Sequence, residues 1–360
     1  MDYPGSYAEL RSWFPDDRAC LDYLDWLRWP EVFRCPLCAG EQAWKLSDGR
    51  WSCGRCGRRV SATSGTIFHG TRTPLTVWFA AAWQMTSQKH GISAHGLKRV
   101  LGIGSEQTAW AMLHRYRTAM VRPGRDRLST IVEVDETVIG GPQPGRPGRG
   151  ALGKTLVVIA VEQAGRALGR CRMQVIEDAS IASLRPFLLD HVAPGTIVIS
   201  DGWPSYPSAC GDEYTHQPEP IAPSGSQAHE LLPGVHRVAS LVQRWLLGTH
   251  QGGVKPGHLQ AYLDEFTFRF NRRRSRARGM LFYRLIEQSV QAPPRTYRSL
   301  VGDSRSGNRR PAPPPSNKRI RPASLGRRSP RSPVAPASRP SRRILTYCTE
   351  MENPYNHYRA

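Results

Sequence analysis

The chain has no run of eighteen apolar residues, so no segment of it reads as a helix able to cross a bilayer. Its first residues, MDYPGSYAELRSWFPDD, carry acids and lack an apolar stretch, which argues against a secretory signal and for a reducing cytosol. In that compartment eight cysteines need an explanation other than disulfides. Acids are scarce too: 29 of them against 50 Lys and Arg give a net charge of +21 and a pI near 10.3. A surplus of that size points to a polyanionic partner. From residue 291 onward 15 basic residues meet only 3 acidic ones, but the first 290 still hold +9, so the basic character is not confined to the end of the chain. Residues 293–360 are rich in Pro, Arg and Ser and poor in large apolar side chains, too poor to offset the entropy of ordering, and are expected to be a disordered tail. No internal repeat of fixed period is present.

What the chain does contain falls into distinct textures. At 360 residues it is long enough for two or three modules. Cys35-Pro-Leu-Cys38 and Cys53-Gly-Arg-Cys56 are two C-x2-C knuckles fourteen residues apart, the spacing of a zinc ribbon. Four thiolates can close a tetrahedral Zn2+ site, and leave no open position for catalysis. A module of residues 15–70 is too small to build a sufficient core without the metal.

Residues 71–125 read as helical. Pro74 suits a first helical position, with Leu75, Trp78, Phe79, Ala82 and Trp83 recurring at helical spacing. A second helix fits 93–101, then Gly102-Ile103-Gly104 turns the chain and Ser105 can cap a third helix through Trp110, Leu113 and Tyr116 to Met120. Two readings stand here. One is a helix-turn-helix whose polar face presents Gln107, His114, Arg115 and Arg117 to a major groove. The other is a helical linker with a solvated basic face.

From 128 to 292 the pattern alternates. The runs 130–135, 155–162 and 171–176 are successive strands, Ser180 can cap a helix through Leu189, and 196–200 is a fourth strand followed by helices from near Leu232 and over 258–273. That order predicts an α/β fold, a mixed sheet with flanking helices. Residues 148–155, GRGALGKT, match the phosphate-loop pattern, but a Pro/Gly stretch precedes them and a strand follows. The loop needs the reverse context, so a basic hairpin is expected there instead. Asp135 and Asp201 sit at or just beyond the ends of apolar strands. As ordinary capping aspartates they need no further meaning; as a converging pair they suit Mg2+, a hard ion that prefers oxygen ligands, with Glu133 and Glu136 as competing ligands.

The motifs VDETVIGG (134–141), SDGWPSY (200–206), LPGVHRVAS (232–240), RWLLGTHQG (244–252) and HLQAYLDEFTFRFNRR (258–273) together resemble bacterial insertion-sequence transposases that join a zinc ribbon to a DDE-type domain. The resemblance covers residues 15–300 in consistent order. It implies a ribonuclease H-like fold for 128–292, Mg2+ or Mn2+ dependence, and cleavage and strand transfer of double-stranded DNA, with terminal inverted repeats and target DNA as partners of a homo-oligomer. A bacterial cytoplasmic protein, nucleoid-associated when on DNA, follows. Asp135 and Asp201 match the first two metal-binding carboxylates, and His236 takes the third position, where the family admits Asn or His. Arg237, Arg244 and Arg272 are implied phosphate contacts. Where the family usually has Lys, seven residues after His236, this chain has Gln243. Two helical turns put both on one face, so a cation is missing there, while Arg244 points about 100° away. The alternative is a catalytically impaired remnant that binds specific DNA sequences. The tail lies outside the resemblance.

Overall fold

Two short helices that the sequence patterns do not announce open the chain. Ser6 and Asp16 accept the backbone N–H of Glu9 and Ala19 and so cap α1 (Tyr7–Trp13) and α2 (Asp17–Arg28). The computed structural model describes residues 3–140, 154–165, 167–219 and 231–302, all within one compact unit, Met1–Arg309. The expected basic hairpin and the expected disordered tail lie outside the described residues, the tail but for its first ten. After α2 comes an antiparallel sheet in the order β1 (Ala43–Lys45), β2 (Trp51–Cys53), β3 (Arg59–Val60). Its own buried cluster is only Phe33, Cys35, Cys53 and Val60, with Phe33 stacked on Trp51 at 5.3 Å between centroids.

The three helices expected next are present. In α3 (Leu75–Ser87) Pro74 stands at the cap rather than at the first helical position. Ser93 accepts from Gly96 N to start α4 (Ala94–Leu101), Gly102 ends it in the left-handed conformation at φ 63°, and Ser105 accepts from Thr108 N to start α5 (Glu106–Ala119).

A five-stranded sheet follows. Its strands are β4 (Ile131–Ile139), β5 (Thr155–Ala164), β6 (Ala167–Ile176), then, after α6 (Ile181–His191), β7 (Ile197–Ser200), and, after α7 (Tyr206–Cys210), β8 (Thr215–Pro218). They lie in the order β6-β5-β4-β7-β8, with β5 antiparallel to both β4 and β6, and with β7 and β8 parallel to β4. This is the mixed sheet with flanking helices that the order of elements in the sequence predicts. β8 escaped sequence reading because Thr-His-Gln-Pro is polar and sits mostly exposed at the sheet edge, with no apolar alternation to detect. β4 runs four residues past Asp135, since residues 136–139 still pair with β5. Four helices complete the described chain: α8 (Pro233–His250), α9 (Leu259–Phe270), α10 (Arg278–Gln291) and α11 (Tyr297–Gly302).

Strand periodicity assigns the two faces. Val157, Ile159 and Val161 of β5 pack under α8 and α9, while Val158 and Ala160 pack with Leu184, Phe187 and Leu188 of α6. Both faces are buried, which is why β5 reads as a continuous apolar run. On β4, Val132 and Val134 take the α6 face, so Glu133, Asp135 and Thr137 fall on the α8 face. The helix α10 packs on neither face. Its Phe282, Leu285, Ile286 and Val290 enter a core made by Leu24, Phe79, Trp83, Met112 and Tyr116 of α2, α3 and α5.

The helical half and the sheet half meet at buried polar groups. Arg117 of α5 and Glu265 of α9 pair at 2.9 Å with side chains 1% and 0% exposed, and the guanidinium lies 3.9 Å from the Tyr262 ring centre. Trp245 donates its indole N–H to His90 O. Around Tyr262 gather His114, His250 and His258. Burial, with Arg117 nearby, pushes His114 down to about 2 and His250 to about 3. A histidine kept neutral by the fold charges first in the unfolded chain, near pH 6.5. The stabilising contribution is therefore complete above that pH and is lost as pH falls toward the folded values. The melting midpoint should drop between about pH 6.5 and about pH 4, and His114→Phe should lose part of that dependence in a calorimetric series. An unchanged slope in the variant would remove His114 from the account.

Candidate active site and metal centre

The four cysteines come together across the knuckles. Cys35 and Cys56 sulfurs lie 3.7 Å apart, Cys38 and Cys53 3.6 Å, and all four are within 4.8 Å of one another. A tetrahedral zinc with bonds of ~2.3 Å requires sulfurs ~3.8 Å apart, so the cage fits that ion. Each knuckle closes through a residue at positive φ just after its second cysteine: Gly57 at 69°, where no Cβ interferes, and Ala39 at 56°, which carries the strain. Among the described residues this is the one group of three or more potential ligands gathered so tightly.

The acidic edge is built by register. β4 and β7 pair in parallel as Ile131 with Ile197, Val132 with Val198 and Glu133 with Ile199. Continued by two residues beyond its last pair, that register would bring Asp135 level with Asp201. Asp135 is buried at mid-strand, its Oδ1 accepting Glu136 N at 2.8 Å. Asp201 follows β7 and its Oδ1 accepts Trp203 N at 3.0 Å, which folds SDGWPSY back on itself. Glu136 turns to the other face, where it accepts the Tyr206 hydroxyl at 2.7 Å and ties the middle of β4 to the helix after Asp201. Burial and the carboxylate of Glu136, with Asp135 and Asp201 beyond it, push the Tyr206 phenol well up. Tyr206 was not singled out from sequence; an aromatic closing the SDGWPSY turn is a weak signal taken alone.

The start of α8 supplies the rest. His236 Nε2 lies 3.7 Å from Asp135 Oδ2. These two come together, and Asp201 is not drawn with them into a triad as tight as the cysteines. Glu133, a competing ligand on sequence grounds, is 2% exposed and has its oxygens committed: Oε2 accepts Gly234 N at 2.7 Å and Val235 N at 3.0 Å, and Oε1 accepts the Gln163 amide at 2.9 Å. Two turns past His236, the Gln243 amide reaches Val138 O at 3.4 Å and Thr137 Oγ1 at 3.5 Å, so it faces the C-terminal half of β4 rather than solvent. Arg237 and Arg244 are exposed on the outer side of α8. Beside the Asp201 loop an open cleft of about 710 Å³ is lined by Val138, Lys154, Glu177, Asp178 and Trp203 among others.

The residues expected on a helix-turn-helix surface divide. Gln107 is exposed, with Ser105, Glu106 and Thr108, at the tip of α5. Arg115 is half-buried, its Nε donating to Arg295 O at 2.8 Å. Arg117 and His114 are a correction: both are buried in the join to α9, so α5 presents only its first turn to solvent. The physical reason is that tertiary packing claimed a face that helical periodicity alone marks as polar. Arg272 is likewise drawn inward, donating to Phe268 O at 3.1 Å with its guanidinium 4.0 Å from the Phe268 ring, and burial lowers it to about 10. Asn271 beside it bonds Cys171 of β6, two strands away from Asp135. Thr155 begins a strand, against a phosphate-binding loop at 148–155.

Residues 15–59 match a transposase zinc-ribbon domain and residues 127–271 an ISXO2-like transposase domain. An uncharacterized protein in transposable element ISH50 of Halobacterium salinarum is 25% identical over 277 residues, covering 71% of this chain and 91% of the relative. Among solved structures, a pre-cleavage Mos1 transpososome aligns at 14% identity and a TM-score of 0.26 over 64% of this chain and 80% of that one. The Mos1 strand transfer complex aligns at 15% and 0.26 over 64% and 79%.

Proposed function

Because a chain with a transposase zinc ribbon ahead of an ISXO2-like transposase domain belongs to the zinc-ribbon, DDE-type insertion-sequence transposases, we propose that it binds the terminal inverted repeats of an insertion sequence and carries out metal-dependent DNA cleavage and strand transfer. The observation that supports this reading is the parallel β4–β7 register, which, continued by two residues, would bring Asp135 level with Asp201 at one edge of the mixed sheet. Asp135 and Asp201 would hold Mg2+ or Mn2+, an arrangement that suits an ion bound through one or two carboxylates with substrate phosphates completing its shell. His236 stands at the same edge as a further ligand. When bound, the metal activates an attacking water or 3′-hydroxyl and stabilises the leaving oxygen of the phosphodiester. The chain's own part is to keep the two acids adjacent, to position His236 by α8, and to offer an open cleft beside the Asp201 loop.

Zn2+ would sit on Cys35, Cys38, Cys53 and Cys56 as a structural ion. Terminal repeats would be read by the ribbon and by the exposed tip of α5 with Gln107. Arg237 and Arg244 on α8, and Arg274, Arg276 and Arg278 exposed ahead of and at the start of α10, suit phosphate contact without sequence preference. Residues 15–70, 71–125 and 128–292 are the corresponding modules, acting as a homo-oligomer on duplex DNA in the bacterial cytoplasm. Incubating the full chain and Mg2+ with duplex DNA bearing the element's own ends tests the reading. Cleavage there, and joining of a supplied 3′-hydroxyl end to a second duplex, is the expected result; binding without either reaction leaves a DNA-binding remnant.

Gln243 favours that second reading, because it places a neutral amide where charge accumulates during phosphoryl transfer. Gln243→Lys should therefore speed strand transfer, on the order of tenfold, by setting an ammonium against the C-terminal half of β4. Equal rates for variant and wild type at every Mg2+ concentration would make Gln243 a bystander.

A further inference from the structure

We propose that Glu133 is a positioning residue, which clamps the start of α8 onto β4 and thereby sets His236 beside Asp135. The inference rests on the reading of Asp135 and His236 given above. The donor accounting at the helix start supports it. An α-helix leaves its first backbone N–H groups without intrahelical acceptors. Here Pro233, at the first position, has no N–H to satisfy. Gly234 and Val235 both donate to Glu133 Oε2, and His236 N reaches Leu232 O at 3.2 Å. One buried carboxylate on another element thus serves the two amides directly before His236, and its negative charge lies at the favourable end of the helix.

Steric fit makes the clamp close. A Cβ at Gly234 would lie 2.7 Å from Glu133 Oε2, so the helix comes this near to β4 only because residue 234 is glycine. Glu133 and Asp135 stand two residues apart on the same face of β4, and Gly234 and His236 two residues apart in the first turn of α8. The Glu133 contact and the 3.7 Å approach of His236 to Asp135 are therefore adjacent points of one strand–helix seam. Gln163 of β5 holds the other oxygen, so the clamp is anchored from a third element.

Two measurements on the full chain test this. Amide hydrogen exchange in zinc-loaded protein without added Mg2+ or Mn2+ reads the clamp itself: first-turn amides have no helical protection, so slow exchange at Gly234 and Val235 in the wild type, and exchange on the order of tenfold faster in Glu133→Ala, is expected. Cleavage of terminal-repeat DNA across Mg2+ concentration reads its consequence. Glu133→Ala and Gly234→Ala should each slow cleavage by about 10- to 100-fold and raise the metal requirement while binding the repeats normally. Glu133→Gln, which keeps an acceptor oxygen, should recover part of the loss. The proposal is overturned if both amides exchange freely in the wild type, or if folded Gly234→Ala keeps the wild-type rate and metal requirement. It is equally overturned if Glu133→Gln is as inactive as a metal-ligand variant while Gly234→Ala is normal, since Glu133 would then be a ligand. Should Glu133→Ala fail to fold, Gly234→Ala and Glu133→Gln decide. A wild type that cuts nothing refutes the catalytic reading, and the exchange result still judges the clamp.

Discussion

Protein carrying Asp135→Ala or Asp201→Ala is expected to bind terminal-repeat DNA with wild-type affinity and to leave it uncut. On the proposed reading each substitution removes a hard oxygen ligand from the edge where β4 and β7 run side by side, and the proposed reading surface lies on the ribbon and the tip of α5. Metal assistance is worth several kcal/mol of transition-state stabilisation, so a loss of about a thousandfold or more in rate is expected for either variant. Asp178 provides the control. It lines the neighbouring cleft and accepts from Ser180 N and Ser183 Oγ, and Asp178→Ala should retain most activity. Undiminished cleavage by both Asp135→Ala and Asp201→Ala would refute the site.

Replacing Cys53 and Cys56 together by Ser should remove one zinc per chain and unfold the ribbon. The four-residue buried cluster of Phe33, Cys35, Cys53 and Val60 is far too small to hold β1, β2 and β3 without the ion. Structural zinc supplies roughly 10–16 kcal/mol of apparent binding free energy, more than such a core can replace. Metal analysis should find the zinc gone, repeat binding should weaken sharply, and proteolysis should cut within residues 30–60 while the five-stranded sheet stays protected. Full zinc content in the double variant would sink the cage.

The ribbon, the three helices from 75 to 119 and four of the five strands were legible because their signals are local: paired knuckles, Ser caps with a glycine turn between them, and β-branched runs between turn residues. Strand ends alone left Asp135 and Asp201 open between capping residues and a converging pair, and only the resemblance favoured the pair, because the β4–β7 register joins segments sixty-six residues apart. Failures came where tertiary context overrode pattern. Arg117 looks like a surface cation at helical spacing until Glu265, one hundred and forty-eight residues later, proves to be its partner. Glu133 looks like a spare ligand because sequence cannot show that a helix start will be laid against it. β8 and α10 were missed for opposite reasons, the first having too little apolar pattern and the second being buried against elements from the other end of the chain.

That last packing has a consequence for synthesis. Phe282, Leu285, Ile286 and Val290 fill the core begun by Leu24, Phe79, Trp83 and Tyr116, so the amino-terminal helices emerge from the ribosome well before the residues that cover them. Until translation has passed residue 290, Phe79 and Trp83 remain open to water or to a chaperone, and α5 lacks its ion-pair partner on α9. A polypeptide released early would be an aggregation-prone fragment rather than a free reader of DNA ends. Prematurely terminated products of this gene should therefore compete poorly with the finished protein, and dominant interference should demand nearly full-length chains.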